Sequence, residues 1–373
     1  MIPKGTILWK DGKLTAVGAD VELPPDTQII PGDGLTAVPG FIDAHTHLGI
    51  MEEIYQWEGD DVNEISDPVT PALRALDGIN PFDIGFEDAL SGGVTTVMTG
   101  PGSANVVGGM SLVMKTAGPS FDSMVLNPQA GVKVAFGENP KRVYAEQKKM
   151  PYTRMGIAAL LRQALAEAQD YQMKRKKDLE DGEVTQRDLG MEALTEVLEG
   201  QIPLRAHAHR ADDILTAIRI AEEFNVDLVI EHATEGHKLI PALLKRQAPV
   251  VVGPTFSSRA KVELKELSWK TAVDLMAAGV LTALTTDHSC TPIQYLSLCA
   301  ALCVRHGMPE ADALKAITLN PAKILKLEDR LGSLDPGKDA DLVLLDGHPL
   351  DVRSRVRLVF VDGAKVWSEN ADI

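Results

Sequence analysis

Cysteine is scarce in this chain. Its three residues, Cys290, Cys299 and Cys303, cannot make an even disulfide framework, which fits a reducing compartment. Cys299 and Cys303 stand four apart in an apolar stretch and read as small buried hydrophobes on one helix face, and packing is the expectation for Cys290 as well. Basic residues are outnumbered, 37 Lys and Arg against 53 Asp and Glu, for a net charge of −16. Phosphate contacts need clustered positive charge, so this balance argues against nucleic acid as a partner. No stretch holds the ~20 apolar residues needed to span a bilayer. The opening MIPKGTILWKDGKL lacks an apolar run followed by a cleavage site. The expectation is a cytoplasmic protein without a membrane partner.

What is present suits a packed enzyme. Hydrophobic residues make up 45% and charged residues 24% of 373, an ordinary globular balance with ample chain to bury a core. Residues 7–38 and 333–373 alternate short apolar runs with Gly, Pro and Asp, the pattern of strands and turns. The middle alternates apolar strands with helical patterns. Strands are expected at FIDAHTH (41–47), VTTVMTG (94–100), SLVM (111–114), GVKVAFG (131–137), PLRAHAH (203–209), DLVIEH (227–232), PVVVGP (249–254) and LTALTTDH (281–288). Eight strands with helical crossovers predict a parallel (β/α)8 barrel over 39–332. That span is roughly 290 residues, longer than the usual barrel of ~250. The polar helical stretch 141–200 accounts for the excess as a solvated insertion.

Histidine placement carries the chemistry. His45 and His47 are two apart at a strand end, so both side chains take the same face. PLRAHAH ends in His207 and His209, DLVIEH in His232, and LTALTTDH in Asp287 and His288. In a parallel barrel these strand ends converge on one rim. Six of the nine histidines lie at these four ends, a clustering that scattered core histidines would not give. Neutral imidazoles and carboxylates on one rim are the donors of a divalent metal site. The fourth strand offers two anionic readings. Glu138, just past the strand, binds metal without modification, whereas Lys133 does so only as a carbamate. Glu231 faces away from His232 by strand alternation and is expected in the barrel wall or an ion pair. The glycine-rich GPGSANVVGG (100–109) fits neither a Walker A nor a GxGxxG pattern and reads as a loop above the site.

The segments PGFIDAHTHLG, IEHATE, TTDHS and TLNPAKILKLEDRLGSLDPGKDADLVLL resemble the amidohydrolase superfamily, especially its imidazolonepropionase-like branch, through nearly the whole chain. The resemblance implies a metal-bearing TIM barrel (39–332) and a small β-sandwich domain built from both termini (1–38 and 333–373). The strand that often precedes ILWKDGKLTAVG in the family is short or absent here. Carried over by position, His45 and His47 match the first-strand pair, Glu138 or Lys133 the fourth-strand ligand, His207 the fifth, His232 the sixth and Asp287 the eighth.

The expected activity is cleavage of C–N bonds in cyclic amide, peptide or N-acyl substrates by metal-activated water, at one or two divalent ions. Zn suits the donors, and Mn, Fe or Co would also fit. Asp287 would shuttle the proton from water to the leaving nitrogen. His288 would stabilise an oxyanion or hydrogen-bond within its loop. His209 and Arg210 are expected to meet substrate, Arg210 through a carboxylate or, instead, a salt bridge to Asp212 or Asp213. Arg259 carries the same two readings. A single-metal deaminase of a cyclic amidine or nucleobase-like ring is the alternative, and a non-catalytic scaffold a remoter one. The partner is a small molecule, with self-association left open.

Overall fold

The computed structural model describes residues 2–54 and 56–369. The chain starts with a hairpin, β1 (Thr6–Lys10) and β2 (Lys13–Gly18), and β3 (Thr36–Pro39) follows. Eight strands then form one sheet in sequence order: β4 (Phe41–Thr46), β5 (Val94–Thr99), β6 (Val107–Lys115), β7 (Val125–Ala135), β8 (Leu204–Ala208), β9 (Leu228–His232), β10 (Val250–Val252) and β11 (Thr282–Leu284). At the seam between β11 and β4, His47 N–H donates to the His288 carbonyl at 2.8 Å and the Thr285 hydroxyl to the His45 carbonyl. The last strands, β12 (Leu342–Leu345), β13 (Val356–Val361) and β14 (Ala364–Ser368), join β3 in a small antiparallel sheet of order β14-β13-β12-β3. Both chain ends thus build the small sheets beside a TIM-type barrel, as expected.

Most barrel strands are buried at every position, because helices cover the outside and side chains fill the inside. Ile42, Ala44, Met98, Val113, Val229, Val251 and Ala283 make the inner core, closed from below by Ala322, Ile324, Leu325 and Leu331. These last residues come from the TLNPAKILKLEDRLGSL segment, whose role is to plug the barrel at the end away from the histidines.

Two expectations need correction. First, β6 runs antiparallel to both β5 and β7, so the barrel is not wholly parallel. Only residues 100–106 connect β5 to β6, too few for the crossover of a dozen or more that parallel pairing needs. Second, the 141–200 stretch is three helices, Glu138–Glu146, Arg154–Asp181 and Leu189–Leu198, and it is not simply solvated. The long middle helix is capped by Thr153, whose side chain accepts from Gly156 N–H. It buries Ile157, Leu161, Ala164, Leu165 and Ala168 in the main core, a spacing of three and four that marks one helix face. Its KRKK segment lies beyond this stripe in an exposed half. Cys299 and Cys303 are buried on the helix Leu296–Arg305, as expected, whereas Cys290 is exposed. Among the described residues no helix is long and apolar enough to cross a membrane.

The barrel and the small sheets are tied together at two points. Gly40 joins β3 to β4 where a Cβ would stand 1.9 Å from Thr95 Oγ1, so only glycine fits. Lys115, at the end of β6, is 1% exposed. Its ammonium donates to Asp339 and Asp341 at 3.0 Å each and to Asp362 at 2.6 Å. Burial alone would lower its pKa, but the three carboxylates raise it. The GKDADLV tail therefore supplies counter-ions to a barrel lysine. Replacing Lys115 with Met would leave buried carboxylates unpaired, at a cost of about 3–5 kcal/mol. The expected outcome is a lowered urea midpoint at pH 7 with metal uptake unchanged.

Candidate metal centre

The C-terminal rim of the barrel gathers His45, His47, Lys133, His207, His209, His232 and Asp287. Three groups of side chains have ligand atoms within 4.8 Å of one another: His45, His47 and Asp287; His207, His209 and His232; and His45, Glu231 and His232. The rings stack as a continuous patch, with His232 4.9 Å from His45 and 4.4 Å from His207 between centroids.

Local backbone explains how so many groups face one point. His232 (φ 73°) and Asp287 (φ 51°) both adopt left-handed conformations at the ends of their strands, so each chain turns and carries its side chain back over the rim. This is a conformation uncommon outside glycine and is found at functional sites. It also reconciles Glu231 with its neighbour, since strand alternation alone would oppose the two. Asp43, in FIDAHTH, locks the first strand to the last: its Oδ2 accepts from Thr286 N–H at 2.9 Å and from the Thr286 hydroxyl at 2.6 Å.

The imidazoles are oriented by carbonyls behind them. His47 Nδ1 donates to the Gly100 carbonyl and His232 Nδ1 to the Gly253 carbonyl, both at 2.7 Å. A carbonyl only accepts, so each Nδ1 carries the proton, and a neutral ring turns its Nε2 lone pair to the rim. Asp287 Oδ1 lies 3.3 Å from His47 Nε2 and 3.1 Å from His45 Nε2. Yet Oδ1 has no hydrogen-bond partner among the described residues, and the same holds for His232 Nε2 and both ring nitrogens of His207. Buried acceptors that face each other without a proton between them are costly. A divalent cation satisfies all of them at once, and the nitrogen and carboxylate donors suit one.

Electrostatics favour the same forms. Burial, reinforced by neighbouring histidines, holds His207 and His232 well below the ordinary imidazole range. Burial likewise pushes His209 down to about 3. These rings are neutral at physiological pH, the state that binds metal. Burial would raise the Asp287 carboxyl, but His232, His45 and His47 outweigh it and hold it well below the usual carboxylate range. Beneath the rim, Glu231 Oε2 accepts from Lys133 Nζ at 2.5 Å and Oε1 from Arg205 Nε at 2.8 Å. Lys133 Nζ is also 3.5 Å from His45 Nε2. Burial would raise Glu231, but His45, Lys133 and Arg205 keep it ionised.

Other expected site residues stand apart. Glu138 starts a helix after Gly137, which has a φ of 86°, and belongs to none of the metal-capable groups among the described residues. The chain has already left the rim three residues beyond β7, so the fourth strand brings Lys133 to the cluster. Arg210 makes a two-pronged salt bridge to Asp212, 2.9 Å at each contact. Arg259 donates to the Leu267 carbonyl. His288 accepts from Ile293 N–H through Nδ1 at 3.2 Å, and its Nε2 lies 3.2 Å from Glu53 Oε1, an arrangement within its own and the adjoining loop. Residues 100–109 are mostly buried: Gly100 holds His47, and 107–109 begin β6. Glu263, in the loop after β10, is a site-facing carboxylate for which the sequence carried no signal beyond its residue type.

The amidohydrolase family model matches residues 36–366. The chain is 31% identical to the amidohydrolase tasK of Hapsidospora irregularis, over 99% of its own length but only 40% of that relative's. It is 25% identical to an imidazolonepropionase of Symbiobacterium thermophilum, covering 92% of this chain and 84% of the relative. The crystal structure of an amidohydrolase from Thermotoga maritima MSB8 superposes with a TM-score of 0.95 at 49% identity, over 97% of this chain and 94% of that one. The chain belongs to the amidohydrolase family, whose enzymes are metal-dependent hydrolases of C–N bonds.

Proposed function

We propose that this chain hydrolyses the C–N bond of a small cyclic amide, peptide or N-acyl compound, with His45, His47, His207, His232 and Asp287 holding Zn. The observation that carries this reading is the unpartnered Asp287 Oδ1 set among the Nε2 atoms of His45 and His47. A bound divalent ion would supply Lewis acidity and lower the pKa of water toward ~7. The name of the imidazolonepropionase relatives favours a cyclic amide over a linear one. The absence of a membrane-length helix and the reducing signature of the cysteines support a cytoplasmic setting.

Asp287 is the residue for proton transfer. It is ionised, lies at the rim, and keeps one oxygen for the site, so it accepts the proton of the attacking water and returns it to the leaving nitrogen. His45 and His47 fix its position from one side and His232 from the other. Lys133, Glu231 and Arg205 close the floor of the site against water and balance its charge. Lys133 is the fourth-strand residue of the site in preference to Glu138, and as an ammonium paired with Glu231 it positions His45; an anionic ligand role would require its carbamate. His288 holds the loop that presents Asp287.

Two outcomes follow. With metal-loaded protein screened against cyclic amides and dipeptides, Asp287→Asn is expected to lower kcat by roughly 10²–10⁴-fold while retaining the fold by circular dichroism. Undiminished turnover in that variant overturns the proton shuttle. Separately, His47→Ala is expected to lower the metal content of purified protein, read by elemental analysis, and an unchanged content would show that this side of the rim holds no ion.

A further inference from the structure

Glu263 is 1% exposed and has one oxygen anchored and one idle. Its Oε2 accepts the Glu138 backbone N–H at 3.0 Å. Gly137 makes room for that contact, since a Cβ there would stand 2.6 Å from Oε2. Its Oε1 has no hydrogen-bond partner among the described residues. That oxygen is aimed into the histidine cluster, 3.8 Å from His207 Nε2 and 3.8 Å from His209 Nε2. Lys261 Nζ approaches to 3.6 Å, outside hydrogen-bond distance. His209 commits its Nδ1 to Thr234 Oγ1 at 2.8 Å, which leaves Nε2 for the cluster. His207 commits neither nitrogen. A buried carboxylate oxygen facing two imidazole nitrogens, with nothing donated among the three, is an arrangement that only a cation satisfies well.

We propose that His207, His209 and Glu263 form a second cation seat beside His45, His47 and Asp287, with His232 between the two. Glu263 is its anionic ligand, delivered by the loop after β10. This inference rests on the metal-dependent reading of the site. Lys133 in its unmodified state is turned to Glu231 and adds no donor to this seat. Bonds of ~2.0–2.1 Å in a tetrahedral site set donors ~3.4 Å apart, so the 3.8 Å contacts need to close by only a few tenths of an ångström. Two nitrogens and a carboxylate oxygen suit a borderline cation such as Zn or Co in the divalent state.

The test is a titration of the chelator-stripped full chain with Co(II), following its visible absorption and the bound metal per chain. Wild type is expected to take up two equivalents. Glu263→Gln and His209→Asn are each expected to weaken the second equivalent by at least about tenfold and to leave the first within about threefold. Glu266→Gln, on the same loop but paired with Lys238 outside the site, should behave as wild type. Wild-type affinity for the second equivalent in Glu263→Gln, or a wild type that stops at one, overturns the proposal. Should Glu263→Gln fail to fold, His209→Asn decides by the same criterion. A two-metal wild type that hydrolyses no amide would count against the hydrolytic reading and leave the seat standing.

Discussion

Everything at the rim depends on a confrontation of acceptors. The Gly100 and Gly253 carbonyls take the Nδ1 protons of His47 and His232, which turns bare Nε2 atoms toward the ionised Asp287. Left alone, that arrangement is repulsive and desolvated. Its stability as a structure comes from the scaffold: the strand seam locked by Asp43 and Thr286, and the left-handed turns at His232 and Asp287. A rigid barrel with strained strand ends holds donors in place before any ligand arrives, so binding a cation requires little reorganisation. This is the physical basis for placing the site on strand termini, where the backbone is fixed by the sheet and the side chains are free to converge.

Charge is layered from the rim downward. Neutral imidazoles and a carboxylate occupy the top. Glu231 sits beneath them, clamped between Lys133 and Arg205, and the apolar inner core with its plug from residues 322–331 closes the barrel below. The buried ions lie next to the site and not in the apolar core, which is where their desolvation serves a purpose. A separate buried cluster, Lys115 with Asp339, Asp341 and Asp362, ties the small sheets to the barrel. The acidic tail motif is therefore structural, although it is among the segments by which the family is recognised.

Much of this was legible in the sequence. Strand ends carrying His45, His47, His207, His232 and Asp287 could be read from apolar runs that stop at a ligand type, and the two β-rich termini from their turn residues. Other features were hidden for definite reasons. Strand direction depends on connection length, and the short link before β6 was masked by its glycine-rich composition. Alternation placed Glu231 opposite His232, because a left-handed residue at a strand end leaves no mark when that residue is not glycine. The long helix Arg154–Asp181 looked solvated because its charged half obscured the apolar stripe from Ile157 to Ala168. Glu138 seemed the simpler fourth-strand ligand by chemistry, but the turn at Gly137 takes it away and leaves Lys133 at the cluster. Glu263 comes from a loop, where neither period nor motif announces direction.

The central claim is that a cation, and no proton, joins His47 Nε2 to Asp287 Oδ1. The most direct measurement is an anomalous difference map at the zinc edge from crystals grown with zinc. The account predicts a peak within ~2.2 Å of both atoms. A direct hydrogen bond between them at saturating zinc, with no peak, would contradict it.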